Sequence, residues 1–232
     1  VQRAGSSSIL KETAVLSGSN YYNPNWGFQS GTARNAAWSW SKAPWLIADH
    51  AFKITHGLQL VSALGLNRGE SGTTGLNWYQ TEDPRPDYYR YLPSYPLSTG
   101  DSVMAQEVAE QWQNNLNTRQ IHWDELIALN KANLYSLPGQ NQINTTETRA
   151  RYVVEDRVTR NTTAVFNSKL TKRTEKYNCT AGLQITHYRS QRFKRLNDLL
   201  GASYWLDYDQ FAASGSPDPA TQQNNLDEPD KK

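Results

Sequence analysis

The chain has 232 residues, of which 37% are hydrophobic, and a mean hydropathy of -0.77. That length is enough for one sizeable domain or two small ones. No run approaches the ~20 apolar residues of a spanning helix, which excludes a helical membrane protein but not one built from strands. Its 24 basic and 22 acidic residues are well mixed, leaving a formal charge of +2 and no electrostatic footprint for nucleic acid.

The chain opens Val1-Gln2-Arg3-Ala4-Gly5, with neither an initiator methionine nor an apolar leader, and reads as a processed product or an internal piece. Residues 1–34 read as a loop, marked by Gly5-Ser6-Ser7-Ser8 and by Tyr21-Tyr22-Asn23-Pro24-Asn25-Trp26-Gly27-Phe28. A hairpin is expected over 35–79. Trp38, Trp40, Pro44, Leu46, Ala48, Phe52 and Ile54 alternate with Ser39, Ser41, Asp49 and Lys53, which is the period of a strand with one apolar side. Lys42 and His50 interrupt the apolar side, and Trp45 and Ile47 intrude on the polar one. After a turn at Thr55-His56-Gly57, the return run puts Leu58, Leu60, Leu64 and Leu66 on one face and Val61, Ala63, Gly65 and Asn67 on the other.

A structured loop is expected over 80–147. Asp101 or Ser102 caps a helix carrying Met104, Val108 and Trp112, with Ala105, Ala109 and Leu116 widening the stripe. A second short helix is expected over Trp123 to Lys131, with Asp124 and Glu125 in its dipole-favoured first turn. A second hairpin follows over 148–189. Tyr152, Val154, Val158, Ala164, Phe166 and Leu170 oppose Arg151, Glu155, Arg157, Asn161, Asn167 and Lys169; the turn is Lys172 to Lys176, and Cys179, Ala181, Leu183 and Ile185 return. Residues 190–232 read as loop.

Tight turns at one end, long loops at the other and aromatics near the strand ends are the asymmetry of transmembrane β-barrel hairpins. The expected fold is therefore all-β: an antiparallel transmembrane β-barrel segment of about four long strands in two hairpins, with long extracellular loops carrying short helices. A soluble antiparallel sheet with one face on a core is the competing reading of the same alternation.

Little in the chain points to catalysis, and no enzymatic activity is expected. His50, His56, His122 and His187 are scattered, no zinc-ligand spacing occurs, and Gly69, Gly72 and Gly75 lack the lysine of a phosphate loop. Cys179 reads as a small buried or lipid-facing residue, and the sequons at Asn144, Asn161 and Asn178 as chance matches. Binding is better served. Trp78, Tyr79, Tyr88, Tyr89, Tyr91 and Tyr95 surround Asp83, Arg85, Asp87 and Arg90, offering stacking faces beside charged groups. Candidate substrate-binding residues are Trp78, Tyr79, Arg85, Tyr88 and Tyr91. The same rings also serve to pack the loop, stiffened by Pro84, Pro86, Pro93 and Pro96.

Several of these stretches resemble a family. Asn20 to Gly31, Leu76-Asn77-Trp78-Tyr79, Asp83 to Tyr95, Tyr152 to Arg157, Asp198-Leu199-Leu200-Gly201, Trp205-Leu206-Asp207 and Asp209-Gln210-Phe211 are similar to the barrel of TonB-dependent outer-membrane receptors, in the branch with a carboxypeptidase-like N-terminal domain. The resemblance implies a 22-stranded barrel with an internal plug, in the bacterial outer membrane, importing a glycan, peptide or metal chelate without a cofactor of its own. It implies as partners the rest of the barrel and plug, TonB through the missing N-terminal part, outer-membrane lipid and a surface lipoprotein. About four strands cannot close a barrel, so the chain reads as a partial barrel domain over 1–232, not competent alone. The alternative is a soluble secreted β-rich carbohydrate-binding module.

Overall fold

The computed structural model describes residues 7–134, 147–208 and 223–226. The chain's first six residues, the sequon at Asn144, the Asp209-Gln210-Phe211 motif and the tail from Asp227 lie outside them. About half of the described residues are in strands, so the class is all-β with a few helices. Two compact units divide the chain: Val1–Trp38, Thr74–Asp156 and Arg195–Lys232 form one, Ser39–Thr73 and Arg157–Lys194 the other.

In chain order, α1 (Ser7–Ser17) precedes a small hairpin, β1 (Trp26–Gln29) and β2 (Thr32–Asn35). Both lie in the stretch expected to be loop. Helix α1 shows little amphipathic signal because it buries only Thr13 and Leu16 and leaves Leu10 and Val15 exposed. The β1–β2 turn is Ser30-Gly31, both at positive φ, the two-residue arrangement that matches strand twist.

The second unit holds one antiparallel sheet. Strands β3 (Ser39–Lys42) and β4 (Trp45–Thr55) both pair with β5 (Leu58–Trp78), interrupted where Pro44 lacks an N–H; Asn67 Nδ2 donates to the Pro44 carbonyl at 2.7 Å across the gap. The turn is shorter than expected, since Thr55 pairs with Leu58 and only His56 and Gly57 connect them. Strand β5 is joined by β6 (Tyr152–Arg173), and β6 by β7 (Asn178–Asp198). The β6–β7 turn spans 174–177, where the Thr174 N–H donates to the Tyr177 carbonyl. The two tips lie side by side, with the Arg173 N–H donating to the Gly57 carbonyl at 2.6 Å.

Pairing places the alternating residues on common faces. Leu46 faces Leu66, Ala48 faces Leu64 and Phe52 faces Leu60 across β4–β5. The Ser62 and Ser168 hydroxyls, 3.0 Å apart, carry that face onto β6, and the Thr171–Thr180 contact on the opposite side leaves Phe166 and Leu170 with Leu183 and Ile185 of β7. The apolar face is uncovered: Leu46 is 67%, Phe52 53%, Leu183 57% and Ile185 56% exposed. Cys179 is exposed as well. On the other face, the Trp45 ring lies over Gly65, which explains one intruding aromatic.

The first unit owns the buried cores. Helices α2 (Ser94–Ser98), α3 (Ser102–Asn114) and α4 (Trp123–Ala132) fill the stretch expected as a structured loop. Asp101 caps α3 by accepting from the Met104 N–H. Four residues of the expected α3 stripe, Ala105, Val108, Ala109 and Trp112, pack inward, while Met104 and Leu116 are exposed. One core joins Ile121, Trp123 and Leu126 to Leu76, Tyr152, Val154 and Leu200; a second joins Val153, Leu196, Leu199 and Trp205; a third joins Leu16, Leu92 and Trp112. The terminal loop expected over 190–232 instead contains the end of β7 and a ladder of β8 (Trp205–Tyr208) with β9 (Gln223–Leu226).

Candidate functional site

The first unit contains a cleft of about 310 Å³ lined by 82–86, Tyr91, Thr118, Gln120, His122, Glu125, Leu126, Leu129 and Tyr152. Its floor is positioned by α4, whose apolar side supplies Leu126. Asn130 anchors that helix: fully buried, its amide donates to the carbonyls of Tyr152, Leu199 and Leu200 and its oxygen accepts from the N–H groups of Arg151 and Tyr152. The chain leaves β5 through Gln80 at φ +52, which turns it onto the cleft rim.

Along that rim, Arg85 makes a two-pronged pair with Asp83 at 2.9 and 2.7 Å and lays its guanidinium 5.1 Å over the Trp78 ring. Tyr91 donates its hydroxyl to the Asp83 carbonyl at 3.2 Å, and Tyr152 to the Glu82 carbonyl at 3.2 Å. Tyr88 packs edge-on against Tyr89 and Tyr91, at 4.8 and 5.2 Å between ring centres. Trp112 Nε1 donates to the Tyr91 carbonyl, tying this aromatic cluster to α3.

Burial and nearby acids raise the proton affinity of the neighbourhood. Burial first, then Glu82 and Asp83, push the Tyr91 phenol up to about 12. Asp87 is held above the usual carboxylate range mainly by burial, opposed by Arg85 and reinforced by Asp83, and its Oδ1 has no hydrogen-bond donor among the described residues. The Tyr22 phenol is raised as well, by burial and by Asp87.

Of the candidate residues, Arg85 and Tyr91 line the cleft, while Trp78 and Tyr88 stand behind them as stacking partners. Tyr79 goes elsewhere, into the second core and beneath Arg149 at 5.6 Å. Side-chain alternation at the end of β5 sends Tyr79 to the opposite side from Trp78. Sequence reasoning missed Glu82, His122, Glu125, Leu129 and Tyr152 as wall residues. In the sequence Glu125 reads, with Asp124, as a first-turn acid of the α4 helix in preference to a carboxylate pair. Its neighbour Asp124 accepts from the Ser30 N–H at 2.9 Å and so fastens the β1–β2 turn to α4.

The Arg85–Asp83 pair and the rings of Tyr91 and Tyr152 give the cleft charged and aromatic walls. Among the described residues, no three His, Cys, Asp or Glu side chains gather so as to hold a metal ion. No family model matches the chain, and no curated protein matches it.

Proposed function

We propose that this chain is part of the wall of a TonB-dependent nutrient receptor in the bacterial outer membrane, a receptor for a glycan, peptide or metal chelate, and that it does not transport alone. The observation that carries the reading is the uncovered apolar face of the second unit. None of the three buried cores draws on Ser39–Thr73 or Arg157–Lys194. A soluble sheet would bury that face against a core; lipid is the solvent in which it is stable bare.

The dimensions agree. From Leu46 to Ile54 the apolar side of β4 covers nine residues, against the ~9–11 of a tilted crossing strand. Beyond it, on the same face, stand Lys42 opposite Glu70, and Glu70 paired with Arg160, charges that belong outside hydrocarbon. Trp38 and Trp40 lie at this boundary, the Trp40 ring covering Gly72, as interfacial aromatics do.

Among the described residues the sheet does not close. An unpaired edge in lipid costs several kcal/mol per backbone group, so further strands complete this wall. The partners implied are the remaining barrel and plug, TonB, outer-membrane lipid and a surface lipoprotein; the cleft at Arg85 and Tyr91 then contributes to substrate capture. Membrane fractionation tests the reading. The chain is expected in the membrane pellet and released only by detergent. A chain that is soluble and monodisperse without detergent would overturn it in favour of a secreted carbohydrate-binding module.

A further inference from the structure

The turn end of the second unit's sheet carries a cluster of positive charge. Lys53 closes β4, Lys169, Lys172 and Arg173 close β6, and Lys176 lies in the β6–β7 turn, with Glu175 as the sole acid of the two tips. Five cations against one acid stand out in a chain whose whole excess is two positive charges. All five are exposed, and none has an ion-pair partner among the described residues. The Arg173–Gly57 hydrogen bond holds the two tips together, so the charges form one cluster.

Of the strand cations, Lys172 continues the apolar side of β6, whereas Lys53, Lys169 and Arg173 alternate onto the opposite face with Thr171. Ile54, Leu58 and Leu170 end the apolar face within a few residues of the cations, and Tyr177, 52% exposed, stands in the same turn. Toward the opposite boundary Arg160 pairs with Glu70, and β7 carries Arg189 and Arg192 there. Long basic side chains with an aromatic beside an apolar band are the composition that meets anionic headgroups, the stems lying along the acyl boundary and the charges among phosphates.

We propose that the hairpin tips form a binding surface for anionic phospholipid headgroups, which fixes the depth and orientation of the sheet in its bilayer. The inference rests on the membrane reading above and adds a lipid class and a polarity to it. Each cation near an anionic surface strengthens binding roughly fivefold, so removing three weakens it on the order of a hundredfold; the effect fades with added salt.

The test is flotation of the full chain with vesicles of phosphatidylcholine, alone or mixed with phosphatidylglycerol. Three forms are compared: the natural chain, a tip variant K53Q/K172Q/K176Q and a charge-matched variant K42Q/R189Q/R192Q. The expected result is tighter binding to the phosphatidylglycerol vesicles, lost in the tip variant and kept in the matched one. K53R/K172R/K176R, which keeps the charge, should behave as the natural chain and so separates loss of charge from loss of fold. Equal binding to both vesicles, equal loss in both Gln variants, or displacement by inorganic phosphate beyond that by sodium chloride of the same ionic strength would overturn the headgroup proposal while leaving the membrane reading standing. Failure to float with either vesicle would overturn both.

Discussion

At the scale of single residues, the first unit depends on groups whose removal strands several partners at once. Asn130 satisfies three carbonyls and two N–H groups from two other segments while fully buried. Asn130→Ala is expected to destabilise this unit by ~3 kcal/mol, because the abandoned backbone groups lose partners without regaining water. Denaturant unfolding followed by tryptophan fluorescence checks it, and a loss near zero would mean the site admits compensating water. Asp87 works in the opposite sense. Its folded-state affinity for a proton is raised by burial, so between its ordinary and raised pKa the unfolded chain releases a proton that the folded one retains, and stability falls as pH rises through that window. Asp87→Asn should therefore raise the thermal midpoint at neutral pH, with the gain vanishing once pH drops below the ordinary carboxylate range. Tyr91 adds an alkaline counterpart: pushed up to about 12, it should cost stability as pH climbs from the ordinary tyrosine value near ~10 toward its own, seen as late phenolate absorbance in the folded chain.

Elements were legible where a long alternation set apolar residues on one side of a strand. The β4, β5, β6 and β7 faces follow the alternation of Leu46, Leu64, Phe166 and Ile185, and Asp101 marks the start of α3 as its cap. What escaped was short or tertiary in origin. Helix α1 buries just Thr13 and Leu16 and so leaves almost no apolar stripe to read. The β1–β2 hairpin is stabilised from outside, by Asp124 at its turn and by the Ile121 N–H donating to the Trp26 carbonyl. The cleft was half legible: Arg85 and Tyr91 stood out as an aromatic, charged run, whereas Glu125 and Tyr152 join it only because Asn130 ties α4 to β6. The hairpin tips offer an element-scale test. Gly57 adopts φ +80, and a Cβ there would sit 2.3 Å from the Arg173 carbonyl oxygen. Gly57→Ala should thus cost ~2 kcal/mol or more through strain and separation of the tips, measurable as a lower unfolding midpoint and faster amide exchange at Arg173. Unchanged exchange there would show that the tips are not held by this contact.

At the scale of the whole molecule, the two units solve the same hydrophobic problem differently. One buries Trp112, Trp123, Leu92 and Ile121 completely, while the other leaves Leu46, Leu183 and Ile185 bare. Apolar surface left bare over four strands has to be met by something other than water, and the account assigns that role to lipid. The most direct measurement replaces Cys179 by serine and scans single cysteines from Leu60 to Asn67 in the membrane-bound chain, recording reaction with a water-soluble thiol reagent and quenching by a lipid-soluble probe. The expected outcome is a period of two: Leu60, Leu64 and Leu66 quenched from lipid and shielded from the aqueous reagent, Val61 and Ala63 the reverse. Uniform aqueous labelling of both faces would contradict it.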